Sequence, residues 1–308
     1  MDVIIVCHTE FGFVKGKDVF FDKNSVASIR EATLNLANIA DKYGARVSFA
    51  VCPETASYFP KSINHEIGLH VHPGWRESTY KNFKYFVGDK YLRENCKQST
   101  DSTVLRDFSF EEQSGMISKG KQYLKSQFGL SPKFFLAGKW SLNNNTIKAL
   151  IENGFTHDCS GTARFQALPN DWDKLPRICM PYRPDSKDYQ REGNLPFIII
   201  PVSQYFPKGN VNPEVVHRVG LPWLKACFVE YYKQNLPVFH ICLHSPCMTD
   251  SYFISEMDKF ISFISKHKNV NFKFVSEIKE YPEIKAKTNI LPYIFAINKN
   301  IIRTFFKI

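Results

Sequence analysis

Residues 3–10 read Val-Ile-Ile-Val-Cys-His-Thr-Glu, an apolar run of strand length that ends in three polar side chains. Apolar residues then recur at about every 3.6 positions, which predicts a helix. They are Ile29, Leu34, Leu36, Ile39 and Ala40. A second apolar run at 46–51 predicts the next strand. This order of strand, helix and strand is typical of a parallel β-sheet covered by helices.

The same alternation continues along the chain. Further strands are predicted at 66–71, 133–137, 155–158, 197–202, 237–243 and 271–275, and further helices at 54–59, 110–128, 143–153, 213–233 and 250–266. Two stretches, 75–107 and 161–194, are predicted to be irregular, and the first is long enough to be a functional loop or lid. Seven or eight strands that alternate with helices predict an α/β fold, either doubly wound or closed into a barrel. No G-x-G-x-x-G or G-x-x-x-x-G-K-[ST] motif follows the first strand, which argues against a dinucleotide or P-loop site.

The composition indicates a globular protein with a sizeable core. Of the 308 residues, 44% are hydrophobic and 23% are charged, which excludes a disordered or collagen-like chain. The net charge of +10 suits an acidic partner such as a phosphate group, a nucleic acid or a membrane surface. Solvated lysine-rich faces are the commoner cause of such an excess. No nucleic-acid-binding motif is recognisable, so we expect no nucleic-acid partner.

The sequence predicts a cytoplasmic protein. Met1-Asp2 leads directly into the first apolar run, without the cationic stretch and cleavage site of a secretion signal. No uncharged apolar run reaches the roughly 18 residues that a membrane-spanning helix needs. The eight cysteines show no C-x-x-C spacing, and several lie in apolar runs where a reduced thiol behaves as a small hydrophobic side chain.

Two histidines, His70 and His72, lie at the end of the strand predicted at 66–71. Residues i and i+2 of a strand point to the same side, so both imidazoles can face one cation. Glu10 is predicted at the same rim, where the first strand ends. Two imidazoles and one carboxylate suit an open site for a divalent ion such as Zn²⁺. The alternative is that both histidines only make ordinary hydrogen bonds.

Two further polar residues follow predicted strands. His244 leaves the apolar run at 237–243 and is a candidate general acid, because the unperturbed imidazole pKa lies near neutrality. The alternative is a histidine that only caps a strand. Asp158 ends the strand at 155–158 and is a candidate to orient a catalytic histidine or bind substrate. An aspartate that begins a turn is equally ordinary.

Five segments resemble the motifs of the polysaccharide deacetylase superfamily, the NodB-homology group or carbohydrate esterase family four, in the order of that family. They are the first strand with its acidic end, His-Glu-Ile-Gly-Leu-His-Val-His at 65–72, Leu-Ala-Gly-Lys-Trp at 136–140, Phe-Thr-His-Asp-Cys-Ser at 155–160 and Leu-His-Ser at 243–245. Pro-Tyr-Arg-Pro at 181–184, followed by Phe-Ile-Ile-Ile-Pro-Val-Ser at 197–203, resembles a divergent branch from bacterial surface-polysaccharide gene clusters.

The resemblance implies a distorted seven-stranded (β/α) barrel over residues 1–285, followed by a separate tail at 286–308. It also implies metal-dependent removal of an N-acyl group, usually acetyl, from an amino sugar that is nucleotide- or lipid-linked. That activity would serve the biosynthesis of surface polysaccharide or glycolipid, such as lipopolysaccharide or capsule. Zn²⁺ is the expected metal.

The resemblance further implies roles for particular residues. His70 and His72 match the metal-binding histidines, and His244 matches the general acid. Glu10 matches a carboxylate of the first motif, as metal ligand or as catalytic base, while His8 or Thr9 stands where the first acid is expected, so His8 is a further candidate ligand. Leu136 replaces the family's arginine. The predicted substrate-binding residues are Lys139, Trp75, Tyr182 and Arg183, of which Lys139 or Arg183 would supply the missing charge.

Three functions compete. A metal-dependent deacetylase would use Glu10 and His244 for proton transfer. A non-catalytic relative would keep the barrel as a sugar- or metal-binding module, which His8 and Leu136 favour. Cleavage of a glycosidic bond needs two opposed carboxylates, for which only Glu10 and Asp158 are evident, and it ranks last.

The tail has the pattern of an amphipathic helix. Lys299, Arg303 and Lys307 recur every four residues and form one basic stripe. The apolar face consists of Ile294, Ile297, Ile301, Phe305 and Ile308. Such a helix suits peripheral contact with an anionic membrane surface. The alternative is an ordinary helix that packs on the barrel.

Overall fold

A computed structural model of the protein describes residues 1–80, 83–163, 172–281, 284 and 286–306. Its first strand, β1 (Asp2–Thr9), is buried from Val3 to Thr9, because neighbouring strands pair with both of its edges and helices cover the sheet. This explains why the run at 3–7 is continuously apolar rather than alternating, as expected for a strand of a parallel sheet that is covered on both faces.

Eleven further strands follow β1. They are β2 (Gly12–Lys15), β3 (Asp18–Phe21), β4 (Val47–Val51), β5 (Glu66–Val71), β6 (Trp75–Tyr80), β7 (Phe83–Gly88), β8 (Phe134–Ala137), β9 (His157–Asp158), β10 (Ile198–Ile199), β11 (Val238–His244) and β12 (Asn271–Phe272). The α-helices are α1 (Ser28–Lys42), α2 (Lys90–Asn95), α3 (Phe110–Phe128), α4 (Asn144–Glu152), α5 (Val216–Val219), α6 (Leu221–Lys233), α7 (Ser251–Ser265), α8 (Leu291–Ile294) and α9 (Lys299–Phe306).

Seven strands form one parallel sheet in the order β10-β9-β8-β5-β4-β1-β11, and β12 adds two residues beside the start of β1. The order confirms the predicted α/β fold. β10 and β11, at the two ends of this order, are linked by the irregular segment that follows β10. Ser203 N–H donates to His240 O at 3.1 Å, and Cys242 N–H donates to Val211 O at 3.0 Å. The barrel is therefore distorted, because irregular chain replaces a strand between β10 and β11.

Local signals explain where the helices begin and end. α3 begins with a capping box, in which Ser109 and Glu112 bond each other's backbone N–H groups, and it ends at Gly129 in the left-handed conformation. Asp250 caps α7 by accepting from the N–H groups of Tyr252 and Phe253. None of the helices in the described part of the chain is both long and apolar enough to cross a membrane. All eight cysteines are unpaired thiols.

The structure departs from the sequence prediction in several places. The helix predicted at 213–233 is divided into a 3₁₀ turn at 213–215 and the helices α5 and α6, which are separated by Gly220 at positive φ. The stretch at 75–107 contains the antiparallel pair β6–β7 and the helix α2, where an irregular segment was predicted. The hairpin β2–β3, which turns at Gly16-Lys17 with both residues at positive φ, was not predicted. Residues 53–55 form only a single 3₁₀ turn in place of the helix predicted at 54–59.

The C-terminal tail packs on the body of the protein through α5 and α6. Arg177 and Glu230 form a buried ion pair, and Glu230 also accepts from the Tyr293 hydroxyl at 2.8 Å and from the Asn289 N–H at 2.8 Å. Farther along, the Thr304 hydroxyl donates to the Arg218 carbonyl at 2.6 Å. The tail thus supplies hydrogen-bond donors to the Glu230 carboxylate and to the Arg218 carbonyl of the barrel.

Candidate active site

The polar residues at the carboxyl ends of the central strands lie together. Glu10 follows β1, His70 belongs to β5, His72 lies just beyond it, and His244 ends β11. The parallel register pairs His8 with His244 across β1 and β11. Because parallel strands end at the same rim, residues far apart in sequence line one cavity, as is usual for α/β barrels.

Glu10, His70 and His72 form a compact group of possible metal ligands. Glu10 Oε1 lies 2.9 Å from His70 Nε2 and 3.3 Å from His72 Nε2. The ligand atoms of the three residues all lie within 4.8 Å of one another. Two imidazole nitrogens and one carboxylate oxygen that converge in this way are the donor set of an open zinc site.

The hydrogen bonding of His70 provides a test of this assignment. His70 Nδ1 lies 2.9 Å from the Leu136 carbonyl oxygen, which can only accept, so Nδ1 carries the proton. In the neutral ring, Nε2 then directs a lone pair at the Glu10 carboxylate. Two lone pairs at this distance repel each other unless a cation or a proton lies between them. A backbone carbonyl that fixes the tautomer is also a common feature around metal-binding histidines. The residues therefore fit a divalent cation.

The protonation states also suit a metal site. Burial alone would raise the pKa of Glu10, but His72 and His70 outweigh it and hold that pKa well below its usual value. Burial lowers the pKa of His72, and the charge of Glu10 only partly offsets this. At neutral pH Glu10 is thus an anion and His72 a neutral imidazole, which are the forms that bind metals.

Space for His72 depends on Gly138, the first residue after β8. A Cβ atom at this position would overlap the His72 ring. The two residues that follow, Lys139 and Trp140, both have positive φ, at 54° and 59°. Each such non-glycine residue costs about 1–2 kcal/mol. This strained turn brings both side chains to the cavity, where the Lys139 ammonium donates to Thr103 Oγ1 at 2.7 Å.

His244 lines the same cavity as Glu10 and His72 and is held by a carboxylate, Glu214. The His244 backbone N–H and Nδ1 both donate to Glu214 Oε1, at 2.5 and 2.9 Å. Burial by itself would lower the pKa of His244, but the charge and hydrogen bonds of Glu214 outweigh it and raise the pKa to about 9. His244 is therefore a cation at neutral pH, with Nδ1 occupied and Nε2 as its remaining N–H donor.

His8 lies between these two groups. Its ring contacts those of His70, His244 and Trp140 at centroid distances of 5.1, 4.4 and 4.5 Å. His8 Nε2 is buried and has no hydrogen-bond partner among the described residues. Burial, with His244 and His70 adding to it, lowers the pKa of His8 well below its usual value. The residue is thus a neutral imidazole in a cationic neighbourhood.

The hairpin β2–β3 and the chain after it supply another part of the cavity wall. Phe21 and Lys23 line it, and the Lys23 ammonium pairs with Glu54 and donates to the Gly88 carbonyl. Burial lowers the pKa of Lys23 to about 8, although Asp89 and other nearby acidic groups partly offset the effect. This wall of the cavity therefore carries the Lys23 ammonium and the Glu54 carboxylate, which are paired with each other.

Other predicted site residues lie elsewhere. Asp158 is buried and accepts from the Ser160 N–H and hydroxyl, and burial raises its pKa to about 7. The Ser160 hydroxyl also accepts from the backbone N–H of Ala137 in β8. Asp158 does not line the cavity that contains Glu10 and His244, among the residues that the structure describes. Tyr182 lines a separate cavity, where its hydroxyl donates to the Tyr189 carbonyl.

The remaining two predicted substrate-binding residues also lack a described place in the cavity. Arg183 forms a half-exposed ion pair with Glu280. Trp75 begins β6, and its side chain lies outside the described part of the structure. Sequence reasoning missed Glu214, Lys23 and Glu54. The available signal for Glu214 was weak: it is an acidic residue in the first turn of the helix predicted at 213–233.

No protein-family model matches the sequence, and no curated protein matches it. Among solved structures, the chain is similar to a Mycobacterium smegmatis protein assigned as a polysaccharide deacetylase, with 14% identity and a TM-score of 0.57 over 92% of this chain and 94% of that one. It is similar to a Pseudomonas aeruginosa PAO1 protein with the same assignment, with 13% identity and a TM-score of 0.57 over 90% and 88%. PuuE allantoinase is similar too, with 14% identity and a TM-score of 0.58 over 90% and 88%.

These likenesses extend over nearly the whole of each chain, at an identity that reveals shared architecture and not shared chemistry. They agree with the parallel sheet and the strand-end site described above. The chain therefore has the fold of the polysaccharide deacetylase superfamily, the distorted NodB-type (β/α) barrel, as the sequence motifs predicted.

Proposed function

We propose that the protein is a metal-dependent amide hydrolase that removes an N-acyl group, usually acetyl, from an amino sugar. The observation that carries this proposal is the convergence of Glu10, His70 and His72 beside the pair His244–Glu214, with ligand atoms of Glu10 and His244 within 4.8 Å of each other. Two of the similar structures are assigned as polysaccharide deacetylases, so the names of these neighbours support the removal of an acetyl group.

Glu10, His70 and His72 would hold a divalent ion, for which Zn²⁺ best suits the donor set. Such an ion polarises a bound acyl carbonyl and lowers the pKa of a bound water. Because Glu10 Oε1 lies between the two imidazoles, this residue acts in the proposal as a ligand and not as the base.

His244 is the proposed general acid. Its cationic form donates through Nδ1 to Glu214, which leaves the Nε2–H to protonate the departing amine. After the proton has left, the neutral ring keeps its Nδ1–H bond to Glu214 and therefore its orientation. A pKa of about 9 keeps the acid protonated at neutral pH, at some cost in proton-transfer driving force.

His8 is the proposed acceptor of the proton from water. It occupies the place at the end of β1 where the family's first acid is expected, and a ligand atom of its ring lies within 4.8 Å of those of Glu10 and His244. A neutral imidazole with an unpartnered ring nitrogen can accept a proton. Lys139, at the same cavity, would supply the positive charge that Leu136 lacks.

The second candidate function is a non-catalytic sugar- or metal-binding module. It is favoured by the low pKa of His8, which makes this residue a weak base, and by Leu136, which is fully buried and carries no charge to the cavity. Both candidates need the same metal ligands. They differ only in turnover.

The proposed substrate is an amino sugar in surface-polysaccharide or glycolipid biosynthesis, such as that of lipopolysaccharide or capsule, and the proposed location is the cytoplasm. The resemblance of residues 181–184 and 197–203 to the surface-polysaccharide branch supports the pathway. Eight unpaired thiols support a reducing compartment.

The test combines metal analysis with an assay of acetate release. Protein purified without added metal is expected to contain one divalent ion per chain, and to release acetate from N-acetylated nucleotide-linked or lipid-linked amino sugars. His244→Ala is expected to lower kcat by about 10²–10⁴-fold with little change in substrate affinity. His267→Ala is the matched control, because His267 is a half-buried histidine just after α7 that packs against Phe228, Tyr232 and Phe263 and does not line the cavity. Stoichiometric metal without turnover on the whole panel would favour the binding module.

A further inference from the structure

The tail that follows residue 285 presents a large exposed apolar surface. Phe295 is 82% exposed, and its neighbours Leu291, Ile294 and Ile297 are each more than 50% exposed. Ile290 and Ile302 extend the same surface, which we call the apolar rim. Single exposed apolar side chains are ordinary, but six within 13 residues are not.

The apolar rim is distinct from the face that packs on the protein. Tyr293, Ala296 and Ile301 are buried, so α8 and α9 already use one side for the core. The apolar face predicted from the sequence therefore divides. Ile301 packs inward, Ile294 and Ile297 face solvent, and the side chains of Phe305 and Ile308 lie outside the described residues.

Hydrogen bonds at several points hold the tail in this position. The Tyr293 hydroxyl donates to buried Glu230, the Asn298 side chain donates to the Val219 carbonyl at 3.0 Å, and the Thr304 hydroxyl donates to the Arg218 carbonyl. The inner face is thus fixed while the outer apolar side chains remain in water. A docked segment that keeps Phe295 and several aliphatic side chains in solvent indicates a second partner for the outer face.

The charges carried by the tail itself are all positive. No Asp or Glu occurs between residues 286 and 308, whereas Lys287, Lys299 and Arg303 are all exposed. Glu256 lies beside Lys299 in a neighbouring groove, where it is paired with Lys259. Protruding apolar side chains flanked by cations complement a layer of anionic headgroups over acyl chains. A second copy of this surface would instead bring cations against cations.

We propose that the apolar rim and its flanking cations form a docking surface for an anionic lipid bilayer. Phe295 and the isoleucines insert into the boundary between headgroups and acyl chains, and Lys287, Lys299 and Arg303 contact lipid phosphates. The protein lies on the membrane and does not span it, in keeping with the absence of a spanning helix from its described part.

The docking surface is linked to the mouth of the cavity. Arg218, whose carbonyl accepts from Thr304 in α9, also donates to Asp18 of the hairpin β2–β3, and this hairpin carries Phe21 at the cavity wall. The preceding residue, His217, bonds the carbonyl of Glu214, which holds His244. Hydrogen bonds thus connect α9, through Arg218 and His217, to two elements that contribute to the cavity.

Flotation of the full chain with vesicles tests the proposal. Equal parts of phosphatidylglycerol and phosphatidylcholine form the anionic vesicles, and phosphatidylcholine alone forms the neutral ones. The wild type is expected to float with the anionic vesicles and at least tenfold less with the neutral ones. Phe295→Ser with Ile297→Ser is expected to lower binding by at least tenfold, since each side chain loses its apolar burial. Lys299→Gln with Arg303→Gln is expected to lower binding by roughly tenfold or more and to reduce the preference for anionic vesicles.

Leu130→Ser is the matched control, because Leu130 is 57% exposed at the end of α3, outside the tail. It should float like the wild type. All the substituted side chains are exposed, and unchanged melting curves will verify that the variants fold. Wild-type protein that stays unbound to anionic vesicles would overturn the proposal, as would undiminished flotation of the Phe295 and Ile297 double variant. A concentration-dependent dimer that this double variant abolishes, without flotation of the wild type, would assign the surface to a second copy instead.

Discussion

Substitution of Glu214 by Gln isolates the interaction that holds His244 in its cationic form. The two hydrogen bonds from His244 to Glu214 can persist to the amide oxygen of Gln, so the change removes mainly the negative charge. With that charge the pKa of His244 is about 9, and without it burial is opposed only by the smaller effect of Glu10, so the pKa falls toward the ordinary 6.5. A fall of roughly 2 pH units corresponds to about 3 kcal/mol.

The sign of the effect on stability follows from the raised pKa. Cationic His244 stabilises the folded protein fully below the unfolded pKa of 6.5, and this stabilisation is lost as the pH rises through about 9. Glu214→Gln should therefore lower the free energy of unfolding by about 3 kcal/mol at pH 6, and by much less at pH 10. Urea unfolding at both values measures the difference. NMR titration of the His244 ring in metal-free protein measures the pKa directly.

Glu277→Gln is the matched control, because Glu277 pairs with Arg46 on the surface and has no contact with the cavity among the described residues. It should leave the titration of His244 unchanged. If His244 in the Glu214→Gln protein titrates within half a unit of the wild-type value, the charge of Glu214 does not set its pKa and the reasoning above is wrong.

Gly138→Ala should weaken divalent-metal binding by tenfold or more in a calorimetric titration, because the new methyl group displaces the His72 ring. Gly115→Ala in α3 is the control and should bind metal normally, since a Cβ atom at that exposed position meets nothing within 4 Å. His70→Ala should abolish metal binding. It should also cost about 1–3 kcal/mol of unfolding free energy, since it leaves a buried carbonyl without its donor, and full metal occupancy would refute the ligand assignment. Glu230→Ala should cost about 3–5 kcal/mol, because it strands a buried arginine, and a thermal melt close to wild type would contradict this.

Elements with strong local signals were predictable from sequence. β5 and α3 were predicted with the observed ends, since a capping box and a left-handed glycine mark the limits of α3 and an apolar run marks β5. The hairpin β2–β3 was missed because strands of four residues give too short a pattern, although Gly16-Lys17 is a two-residue turn. The antiparallel pair β6–β7 was not predicted, because the stretch at 75–107 is predominantly polar and shows no clear alternation.

The candidate site was predictable only where its residues end strands. Glu10, His70, His72 and His244 follow apolar runs, and the parallel topology alone brings them to one rim. Glu214 was not predictable, since its role depends on the placement of a turn opposite His244, thirty residues away. The part that His70 plays in the core was not predictable from its place at a strand end. The residue is fully buried, and its bond to the Leu136 carbonyl ties β5 to β8.

The central place of β1 has a consequence for how the chain is made. β1 precedes its neighbour β11 by about 230 residues, so it leaves the ribosome well before β11 is made. One edge of this buried strand thus stays unpaired while the intervening residues are synthesised, and an unpaired edge is a template for association with other chains. The half of the cavity that carries Glu10, His70 and His72 can be assembled early, while His244 joins it last. Folding of this protein is therefore expected to be slow, because its contact order is high, and to depend on protection of that edge until β11 has been made.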